Sequence, residues 1–517
     1  QGSRDPQAIF DCDSGWGSYF GGKIMRLAME LQPPELYKHV HELVRLSFPE
    51  YELYQGGAAD ADITLQISRC ESDRQLCLNA RLQEGPHLSQ ENSAYMLDPD
   101  KPRDKEISRL TRVFMYRLLC RHLGKNINPY GILTGVRPLK LLHRWLDQGD
   151  SMEKILVRLE EDYCMQPEVA RRLAQIACNN RPYLQSPQQA KHKISIYIGI
   201  PFCSSRCYYC SFPGAILTDY CAQMKPFLHS LRQEIEVIGE CINELGLEAE
   251  NLYWGGGTPS LLAEDDLESL FNLLGQYRIT TTVKETTVEA GRPDTLSTSK
   301  LELFKALGVN RICINPQTMQ DDTLQLIGRR HSRADIINSV QRVRDVGIPI
   351  INMDLIIGLP GEGMAEYKNT LAQILELGPE NVTVHTLAVK KGSALAAAQG
   401  KSQMNERVGE VQTGLHYIGQ TLQEKGYQPY YLYRQKYMKA NVENIGYALP
   451  GCYCSYNIQI MEERQTIIGL GGGAGSKFVS TSDWSLVNLH SPKDPLSYAL
   501  HLPELLARKV DKLRALN

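Results

Sequence analysis

Short apolar segments alternate with amphipathic helical segments between residues 194 and 386. Because strands that alternate with helices form parallel sheets, this pattern predicts an α/β fold whose sheet curves into a full or partial barrel. The functional loops of such a barrel lie at the carboxyl ends of its strands. The predicted strands are Ile194–Ile200, Asn251–Trp254, Thr286–Ala290, Arg311–Asn315, Ile350–Ile357 and Asn381–Thr386, and the predicted helices are Pro226–Glu244, Asp265–Tyr277, Ser299–Leu307, Ala334–Val346 and Ala365–Leu377.

The regions on either side of the barrel have different patterns. Before it, helix-like stretches at Leu36–Phe48 and Ile107–Leu123 accompany an alternating, strand-like stretch at Ile63–Ile67, which indicates an α+β domain. The polar run SPQQAKHK predicts a linker and a domain boundary near residue 188. We therefore divide the chain into residues 1–24, either foreign to the natural protein or disordered, an N-terminal α+β domain at 25–188, the barrel at 189–388 and an irregular C-terminal extension at 389–517.

Composition narrows the classes of protein to which the chain belongs. The 517 residues include 56 basic and 59 acidic side chains, a net charge of -3, which disfavours a nucleic-acid binder that neutralises phosphates. No apolar run reaches the roughly 18–20 residues of a membrane span, and no secretory signal is recognisable. The 14 cysteines are scattered, unlike a disulfide framework. We therefore expect a cytoplasmic protein in which a tight cysteine cluster serves metal binding or catalysis.

One tight cluster of cysteines follows the first predicted barrel strand. Cys203, Cys207 and Cys210 have the spacing C-x3-C-x2-C. Three thiolates suit an iron–sulfur cubane whose fourth iron stays open for another ligand, whereas clusters that only transfer electrons usually have four cysteines. A structural zinc site would need a fourth protein ligand. The spacing therefore favours an open-iron cluster over three unrelated thiols.

This spacing, at this place in the order of strands and helices, resembles the radical S-adenosylmethionine (SAM) superfamily. In that superfamily SAM chelates the open iron through its amino and carboxylate groups, and the reduced cluster cleaves SAM to a 5′-deoxyadenosyl radical. The segment YWGGGTPS, Tyr253–Ser260, falls at the end of the second strand, where glycines let backbone groups approach a ligand closely. It resembles the superfamily's motif for the aminoacyl end of SAM; a tight turn is the alternative.

Polar side chains also lie at or near the ends of successive predicted strands. Glu289 belongs to the third strand, Gln317 follows the fourth, Arg329 lies beyond it, and Asp354 is within the fifth. Carboxylates suit ribose hydroxyls, and a guanidinium suits the SAM carboxylate through paired hydrogen bonds. Each residue alone would also fit a helix cap or a solvated side chain. Four of them at one rim of a barrel predict a binding site.

Together these segments resemble the oxygen-independent coproporphyrinogen III oxidase family within the radical SAM superfamily. The resemblance covers Lys193–Ala388 and the glycine run near Gly471. The segments GILTGVRP before the barrel and YYLYRQKYMK, GYALPG and YNIQIMEE after it resemble the HemZ-type branch, described as coproporphyrinogen dehydrogenases. The implied fold is a partial (β/α)6 radical SAM barrel with an α+β N-terminal domain and a C-terminal extension that covers the substrate.

The resemblance also implies ligands and partners. The family's cluster ligands fall on Cys203, Cys207 and Cys210. The implied cofactors are a 4Fe-4S cluster and S-adenosyl-L-methionine, with a flavodoxin- or ferredoxin-type electron donor. The family's SAM contacts fall on Tyr197, Tyr209, Gly256, Gly257, Thr258, Glu289, Gln317, Arg329, Asp354 and Ala388.

The reaction that the resemblance implies belongs to haem biosynthesis and has a tetrapyrrole substrate. A hydrogen is taken from the β-carbon of a propionate, the carboxylate leaves as CO2 and a vinyl group forms. Two rounds convert coproporphyrinogen III to protoporphyrinogen IX. The chain departs from the well-described oxidases at Phe212, which stands where they have a fourth cysteine. Since the cluster needs only three cysteines, this departure bears on the substrate rather than on SAM cleavage.

Several other side chains each have a functional and a structural interpretation. Cys452 and Cys454 would ligate a second cofactor or donate hydrogen, or be ordinary buried thiols. His385 would face the cavity or be structural. A set of cations would bind an acidic substrate, or would be ordinary solvated side chains. A set of aromatic rings would stack on a flat substrate, or would pack between domains. These cations are Arg206, Arg434 and Lys436, and the rings are Tyr430, Tyr431, Tyr433 and Tyr437.

Two other functions compete with porphyrinogen oxidation. One keeps the cofactor and changes the reaction, to methylation or ring opening of haem or to radical modification of another substrate; Phe212 favours it slightly. The other is a haem-binding or haem-delivery protein whose cluster performs no substrate chemistry. The chain lacks the His-Asn pair followed by Tyr that is associated with haem chaperones, which weakens the second alternative.

Overall fold

The computed structural model describes residues 25–57, 60–210, 215–388, 408–434 and 442–516. The chain divides into two compact units, Gln1–Ile127 and Asn128–Asn517. The sequence places a boundary later, near residue 188. The helices between these two positions belong to the second unit because their apolar side chains share its core: Leu142 and Leu173 are buried in one cluster with Ile196.

The first unit is the α+β domain that the sequence predicts. In the residues that the structure describes, its elements are β1 (Arg26–Gln32), α1 (Tyr37–Ser47), β2 (Glu52–Gln55), β3 (Ile63–Glu71), β4 (Gln75–Glu84), β5 (His87–Met96) and α2 (Arg103–Leu123). The strand order is β2-β1-β3-β4-β5, with β1 parallel to both neighbours and antiparallel pairs from β3 to β5. Buried and exposed residues alternate along β4, so the sheet buries one face.

The second unit begins with a helical segment and continues into the barrel. The helices are α3 (Leu139–Asp147), α4 (Met152–Glu161), α5 (Pro167–Asn180) and α6 (Pro187–Ala190). The run predicted as a linker is this last helix, since Ser186 and Gln189 form a reciprocal capping box. Short 3-10 helices lie at Pro34–Leu36, Arg181–Tyr183, Pro259–Leu261, Ile279–Thr281 and Pro293–Thr295.

Six parallel strands alternate with helices in the order that the sequence predicts, and they form the partial (β/α)6 barrel. Strands β6 and β12 are buried along nearly their whole length, as expected of parallel strands covered on both faces. The elements are β6 (Lys193–Ile200), β7 (Phe202–Cys203), β8 (Ala215–Ile216), α7 (Leu217–Glu244), β9 (Glu248–Gly256), α8 (Glu264–Gln276), β10 (Glu285–Glu289), α9 (Thr298–Ala306), β11 (Arg311–Cys313), α10 (Asp321–Leu326), α11 (Arg333–Val346), β12 (Ile350–Ile357), α12 (Met364–Leu377) and β13 (Asn381–Thr386).

The C-terminal extension is more regular than its sequence pattern indicates. Its described elements are α13 (Val408–Glu424), β14 (Gln428–Tyr433), β15 (Asn444–Ala448), α14 (Ser455–Glu462), β16 (Thr466–Gly471), β17 (Gly475–Val479), β18 (Leu486–His490), α15 (Pro495–Leu500) and α16 (Leu502–Arg514). Its strands add to the barrel sheet at both edges. The order of the whole sheet is β14-β15-β13-β12-β11-β10-β9-β6-β16-β17-β18. Sequence periodicity missed these strands because pairing with a barrel edge, rather than local pattern, stabilises them.

Two distant segments that carry the HemZ-type resemblance meet in the fold. Arg137 and Lys140, in and next to GILTGVRP, both pair with Glu463 of YNIQIMEE. Lys477 adds a third cation at 2.9 Å from the same carboxylate. Glu463 is buried, so removing its partners would leave an uncompensated charge in the core. The contact attaches the segment before the barrel to the extension after it.

Candidate functional site

One cavity of about 330 Å³ lies at the carboxyl ends of the barrel strands and includes all three clustered cysteines in its wall. Cys203 and Cys207 are buried, and Cys210 is partly exposed. The three lie on the loop after β6, which we call the cysteine loop (Phe202–Ile216); its ends pair as the short parallel strands β7 and β8. Phe212 lies outside the described residues. The fold thus brings the predicted cluster ligands to one site.

The cysteine loop is attached to the chain that follows α10. The Tyr208 N–H donates a hydrogen bond of 3.1 Å to the Ile327 carbonyl oxygen. The next residue, Gly328, has a φ of +77°, and a Cβ atom there would lie 2.9 Å from the Arg206 carbonyl oxygen. A larger residue at 328 would therefore be strained and would push the loop away.

Two side chains donate hydrogen bonds to cysteine sulfurs. The Thr258 hydroxyl lies 3.4 Å from Cys203 Sγ, and Arg292 Nη2 lies 3.0 Å from Cys207 Sγ. Burial raises the pKa of the Cys203 thiol to about 11, although Thr258 and Arg292 act in the opposite direction. Binding of iron, which requires the thiolate, would release that proton. Sequence reasoning missed Arg292; its signal is the Gly-Arg-Pro run just after β10.

The glycines of YWGGGTPS make room for protein atoms as well as lining the cavity. A Cβ on Gly257 would lie 2.3 Å from the Phe202 carbonyl oxygen, and one on Gly256 would lie 3.0 Å from the Ile200 carbonyl oxygen. Gly256 also has a φ of +105°. The sequence analysis explains these glycines by the close approach of a ligand. The structure shows that they also let the cysteine loop lie against β9.

Eight of the ten predicted SAM contacts line the cavity. They are Tyr209, Gly256, Gly257, Glu289, Gln317, Arg329, Asp354 and Ala388. Tyr197 lies behind the wall, stacked on Tyr253 with ring centroids 6.0 Å apart, and Tyr253 in turn donates a 2.8 Å hydrogen bond to Glu289. Thr258 faces Cys203 instead. The assignment of all ten residues as SAM contacts stays a prediction, and Tyr197 and Thr258 are the two that the cavity lining does not include.

The surroundings of Glu289 and Asp354, two carboxyl groups of this wall, shift their pKa values in opposite directions. Burial raises the pKa of Glu289 to about 7, and the hydrogen bond from Tyr253 offsets this only in part. Burial acts in the same direction on Asp354, but His385 and Asn352 outweigh it and hold its pKa below the ordinary value. The Asn352 amide donates to Asp354 Oδ1 at 2.7 Å. Near neutral pH, Asp354 is therefore ionised while Glu289 retains much of its proton.

His385 lies in the cavity wall, as the interpretation in which it faces the cavity requires. Its Nε2 is 3.5 Å from Asp354 Oδ2, and its Nδ1 is 3.2 Å from the Tyr433 hydroxyl. The three side chains come from β12, β13 and β14. They form a carboxylate–imidazole–phenol chain that orients the imidazole ring in the wall.

Buried polar atoms in the wall have hydrogen-bonding capacity that the described residues do not use. Arg329 Nη1 donates to the carbonyl oxygens of Gly291 and Asn315, and Nη2 donates to the Tyr209 hydroxyl. Unpartnered buried atoms remain along the same wall: Thr287 Oγ1, Asn315 Oδ1, Gln317 Oε1 and Arg329 Nε. Such atoms are costly to bury unless a polar ligand meets them.

This wall and the three thiols together fit a 4Fe-4S cluster with SAM. The amino, carboxylate and hydroxyl groups of SAM would meet the unpartnered atoms, and Gln317 presents its side chain from a strained backbone with φ +68°. Among the described side chains, no three His, Cys, Asp or Glu converge on a single metal ion. A cubane does not require this, because each thiolate binds a different iron.

The predicted substrate-facing residues divide between the cavity and other sites. Arg434 is a correction: it does not line the cavity, because its guanidinium donates to the Leu133 carbonyl oxygen and lies 4.1 Å from the Tyr130 ring. Tyr430 stacks on Tyr453 behind the wall. Arg206 and Cys452 are also absent from the lining, and Lys436 and Tyr437 lie outside the described residues. The lining includes Tyr431, Tyr433, Cys454 and three arginines, Arg292, Arg311 and Arg329.

Comparisons with known proteins show the family to which the chain belongs. The family model of the Radical SAM superfamily matches residues 197–374. The chain is 35% identical over 479 residues to the oxygen-independent coproporphyrinogen-III oxidase-like protein HemZ of Bacillus subtilis (strain 168), a match that covers 92% of this chain and 95% of that protein. The chain belongs to the HemZ-like family of radical SAM proteins. Radical SAM proteins use a 4Fe-4S cluster and SAM.

Other similarities to this HemZ-like chain are partial. The heme chaperone HemW of Bacillus subtilis (strain 168) is 35% identical over 200 residues, which are 38% of this chain and 51% of that protein. The solved structure of coproporphyrinogen III oxidase (HemN) from Escherichia coli aligns with a TM-score of 0.49 and 21% identity, over 63% of this chain and 72% of that one. In the described part of the chain, no helix is long and apolar enough to cross a membrane.

Proposed function

We propose that this HemZ-like protein is a coproporphyrinogen III dehydrogenase that converts propionate side chains to vinyl groups without oxygen. The observation that carries the proposal is the shared cavity, in which three thiols face buried, unpartnered polar atoms and buried arginines. The name of the Bacillus subtilis relative that matches nearly the whole chain supports the choice of substrate. When bound, the 4Fe-4S cluster and SAM supply an electron and a 5′-deoxyadenosyl radical.

The residues of the chain have separate tasks in this proposal. Cys203, Cys207 and Cys210 hold the cluster. The predicted SAM contacts, with Arg329 and Asp354 as the charged members, bind and orient SAM. Tyr431 and Tyr433, whose rings are stacked at 6.4 Å and 6°, offer an aromatic face to a flat tetrapyrrole.

The chemistry balances with one external acceptor. The β-carbon of a propionate loses a hydrogen atom to the adenosyl radical, which becomes 5′-deoxyadenosine. The bond between the α-carbon and the carboxylate then breaks, CO2 leaves, a vinyl group forms and one electron passes to an acceptor. We further propose a flavodoxin- or ferredoxin-type donor for the cluster and a cytoplasmic location, where the reducing environment would keep the described cysteines out of disulfide bonds.

An anaerobic turnover experiment tests this function. Protein reconstituted with iron and sulfide receives SAM, a strong reductant and coproporphyrinogen III, and 5′-deoxyadenosine and tetrapyrroles are measured by mass spectrometry. We expect losses of one and two CO2 with matching amounts of 5′-deoxyadenosine. Deoxyadenosine without tetrapyrrole change would contradict the substrate and support radical chemistry on haem or on another molecule.

The similarity to HemW favours one second candidate, a haem-binding or haem-delivery protein. In that case the protein would bind haem stoichiometrically, and SAM cleavage would not depend on a tetrapyrrole substrate. Haem titration followed by optical spectroscopy, run beside the turnover experiment, separates the two functions.

A further inference from the structure

Arg292 is a buried cation whose side-chain hydrogen bonds, among the described residues, go to the cysteine loop. Nη1 donates to Ser205 Oγ at 3.0 Å, and Nη2 donates to the Ser205 carbonyl oxygen at 2.9 Å and to Cys207 Sγ at 3.0 Å. The backbone that presents it is rigid: Pro293 follows, and the Thr295 hydroxyl donates to the Arg292 carbonyl oxygen at 2.8 Å. The side chain is therefore aimed at one sulfur from a fixed position.

Among the described residues, no carboxylate pairs with Arg292. In the described residues its partners are a hydroxyl, a carbonyl oxygen and the Cys207 sulfur, although only 5% of the residue is exposed. Arg311 differs, because it pairs with Glu285 at 3.2 Å. Arg329 resembles Arg292 in donating to carbonyl and hydroxyl oxygens in the described residues. A buried charge is costly unless a counter-charge meets it. The Cys207 thiolate and the cluster that it holds are the counter-charge within reach.

We propose that Arg292 positions Cys207 and raises the midpoint potential of the cluster, so that a cellular donor can reduce it. Each added electron makes the cluster and its thiolates more negative, so a cation and N–H donor 3.0 Å from a ligand sulfur stabilises the reduced form more than the oxidised form. The three ligands are then unequal, because Cys203 receives only a neutral, longer hydrogen bond from Thr258. The inference rests on the proposed cluster site.

Redox titration of the loaded protein tests the role directly. Wild type, Arg292→Gln and Arg292→Lys are reconstituted, iron and sulfide per chain are measured, and the reduced cluster is titrated by EPR with mediators in the absence of SAM. Because the positive charge and the N–H donor act more strongly on the reduced cluster, we expect Arg292→Gln to weaken reduction about tenfold, a negative shift of about 59 mV for one electron. Arg292→Lys, which keeps the charge but loses the forked donation, should shift less.

The matched control is Arg342→Gln. Arg342 donates to the Leu296 carbonyl oxygen and to Ser339, away from the cysteine loop, so its loss should leave the potential unchanged. A loaded Arg292→Gln protein with the wild-type potential would overturn the proposal. If Arg292→Gln fails to take up iron, Arg292→Lys decides in its place, and a wild-type potential there is the contrary result. Failure of wild type itself to bind a cluster would instead refute the proposed function.

Discussion

The two sides of the cavity are built in different ways. On the cluster wall, Cys203, Cys207 and Cys210 come from one short loop, and Thr258 and Arg292 come from the loops after the next two barrel strands. On the far wall, Asp354, His385, Tyr433 and Cys454 come from four segments, two of them in the C-terminal extension. The cluster wall directs donors at sulfur, whereas the far wall presents a carboxylate–imidazole–phenol chain. Under the proposed function, the first wall holds the cluster, and the second combines a predicted SAM contact, Asp354, with side chains that would meet the substrate.

The strongest test of the cluster wall is Cys207→Ala. We expect complete loss of the cluster's visible absorption and of 5′-deoxyadenosine production, because two thiolates leave two irons without a protein ligand. Cys178→Ala, which removes an exposed thiol on α5, should retain both. Either signal persisting in Cys207→Ala would contradict the cluster assignment.

A substitution behind the cluster wall should be nearly as damaging. Gly257→Ala places a methyl group 2.3 Å from the Phe202 carbonyl oxygen, which must move together with the adjoining Cys203. We expect most of the iron loading to be lost and the stability to fall by about 1–3 kcal/mol, measured by iron analysis and urea unfolding. Gly275→Ala is the control, since its methyl group meets only Thr280 Oγ1 at 3.6 Å. Equal loading in both variants would show that the loop tolerates displacement.

Substitutions on the far wall should slow turnover without reducing cluster loading. His385→Leu removes the partner of Asp354 and of the Tyr433 hydroxyl. Because hydrogen bonds to charged groups contribute about 1.5–3 kcal/mol, we expect tetrapyrrole conversion to slow about tenfold to 100-fold with unchanged iron content. Tyr433→Phe, which keeps the contact between His385 and Asp354, should slow turnover less. Loss of iron in His385→Leu would show that the two walls are not separable.

The smallest effect concerns the pH dependence of stability. The raised pKa of Glu289 means that the folded protein holds a proton that the unfolded chain releases, so this contribution is present below the ordinary pKa of 4.5 and is lost as the pH rises through about 7. Between pH 5 and 8, wild-type apoprotein should lose stability relative to Glu289→Gln by at most on the order of 3 kcal/mol, measured by thermal unfolding.

Asp354→Asn tests a pH dependence of stability with the opposite sign, in the same thermal-unfolding measurement. The pKa of Asp354 is lowered, so its contribution is present above the ordinary pKa and is lost as the pH falls toward the folded-state value. Asp354→Asn should therefore change the acid side of the stability profile and also weaken the change near pH 7, because the Asp354 charge adds to burial in raising the pKa of Glu289. Identical profiles for the two variants would show that the two carboxyl groups do not differ.

Sequence by itself determined the barrel and the position of the cluster. The six strands are short apolar or alternating runs, whose pattern is local, and three cysteines within eight residues cannot lie far apart. Their order along the chain places Gly256, Glu289, Gln317 and Asp354 at one end of the sheet, because parallel strands all have their carboxyl ends on the same side. These inferences need only chain connectivity and the regular geometry of strands.

Only the tertiary structure decided the rest. The division of the chain at Ile127, the strands added at both sheet edges and the meeting of Arg137 with Glu463 depend on which surfaces bury one another. Arg292 looks like a solvated arginine in the sequence, and its role follows from a distance of 3.0 Å to one sulfur. His385 and Tyr433 are 48 positions apart and meet through strand pairing. Long-range pairing and burial are properties of the whole fold, which no local pattern encodes.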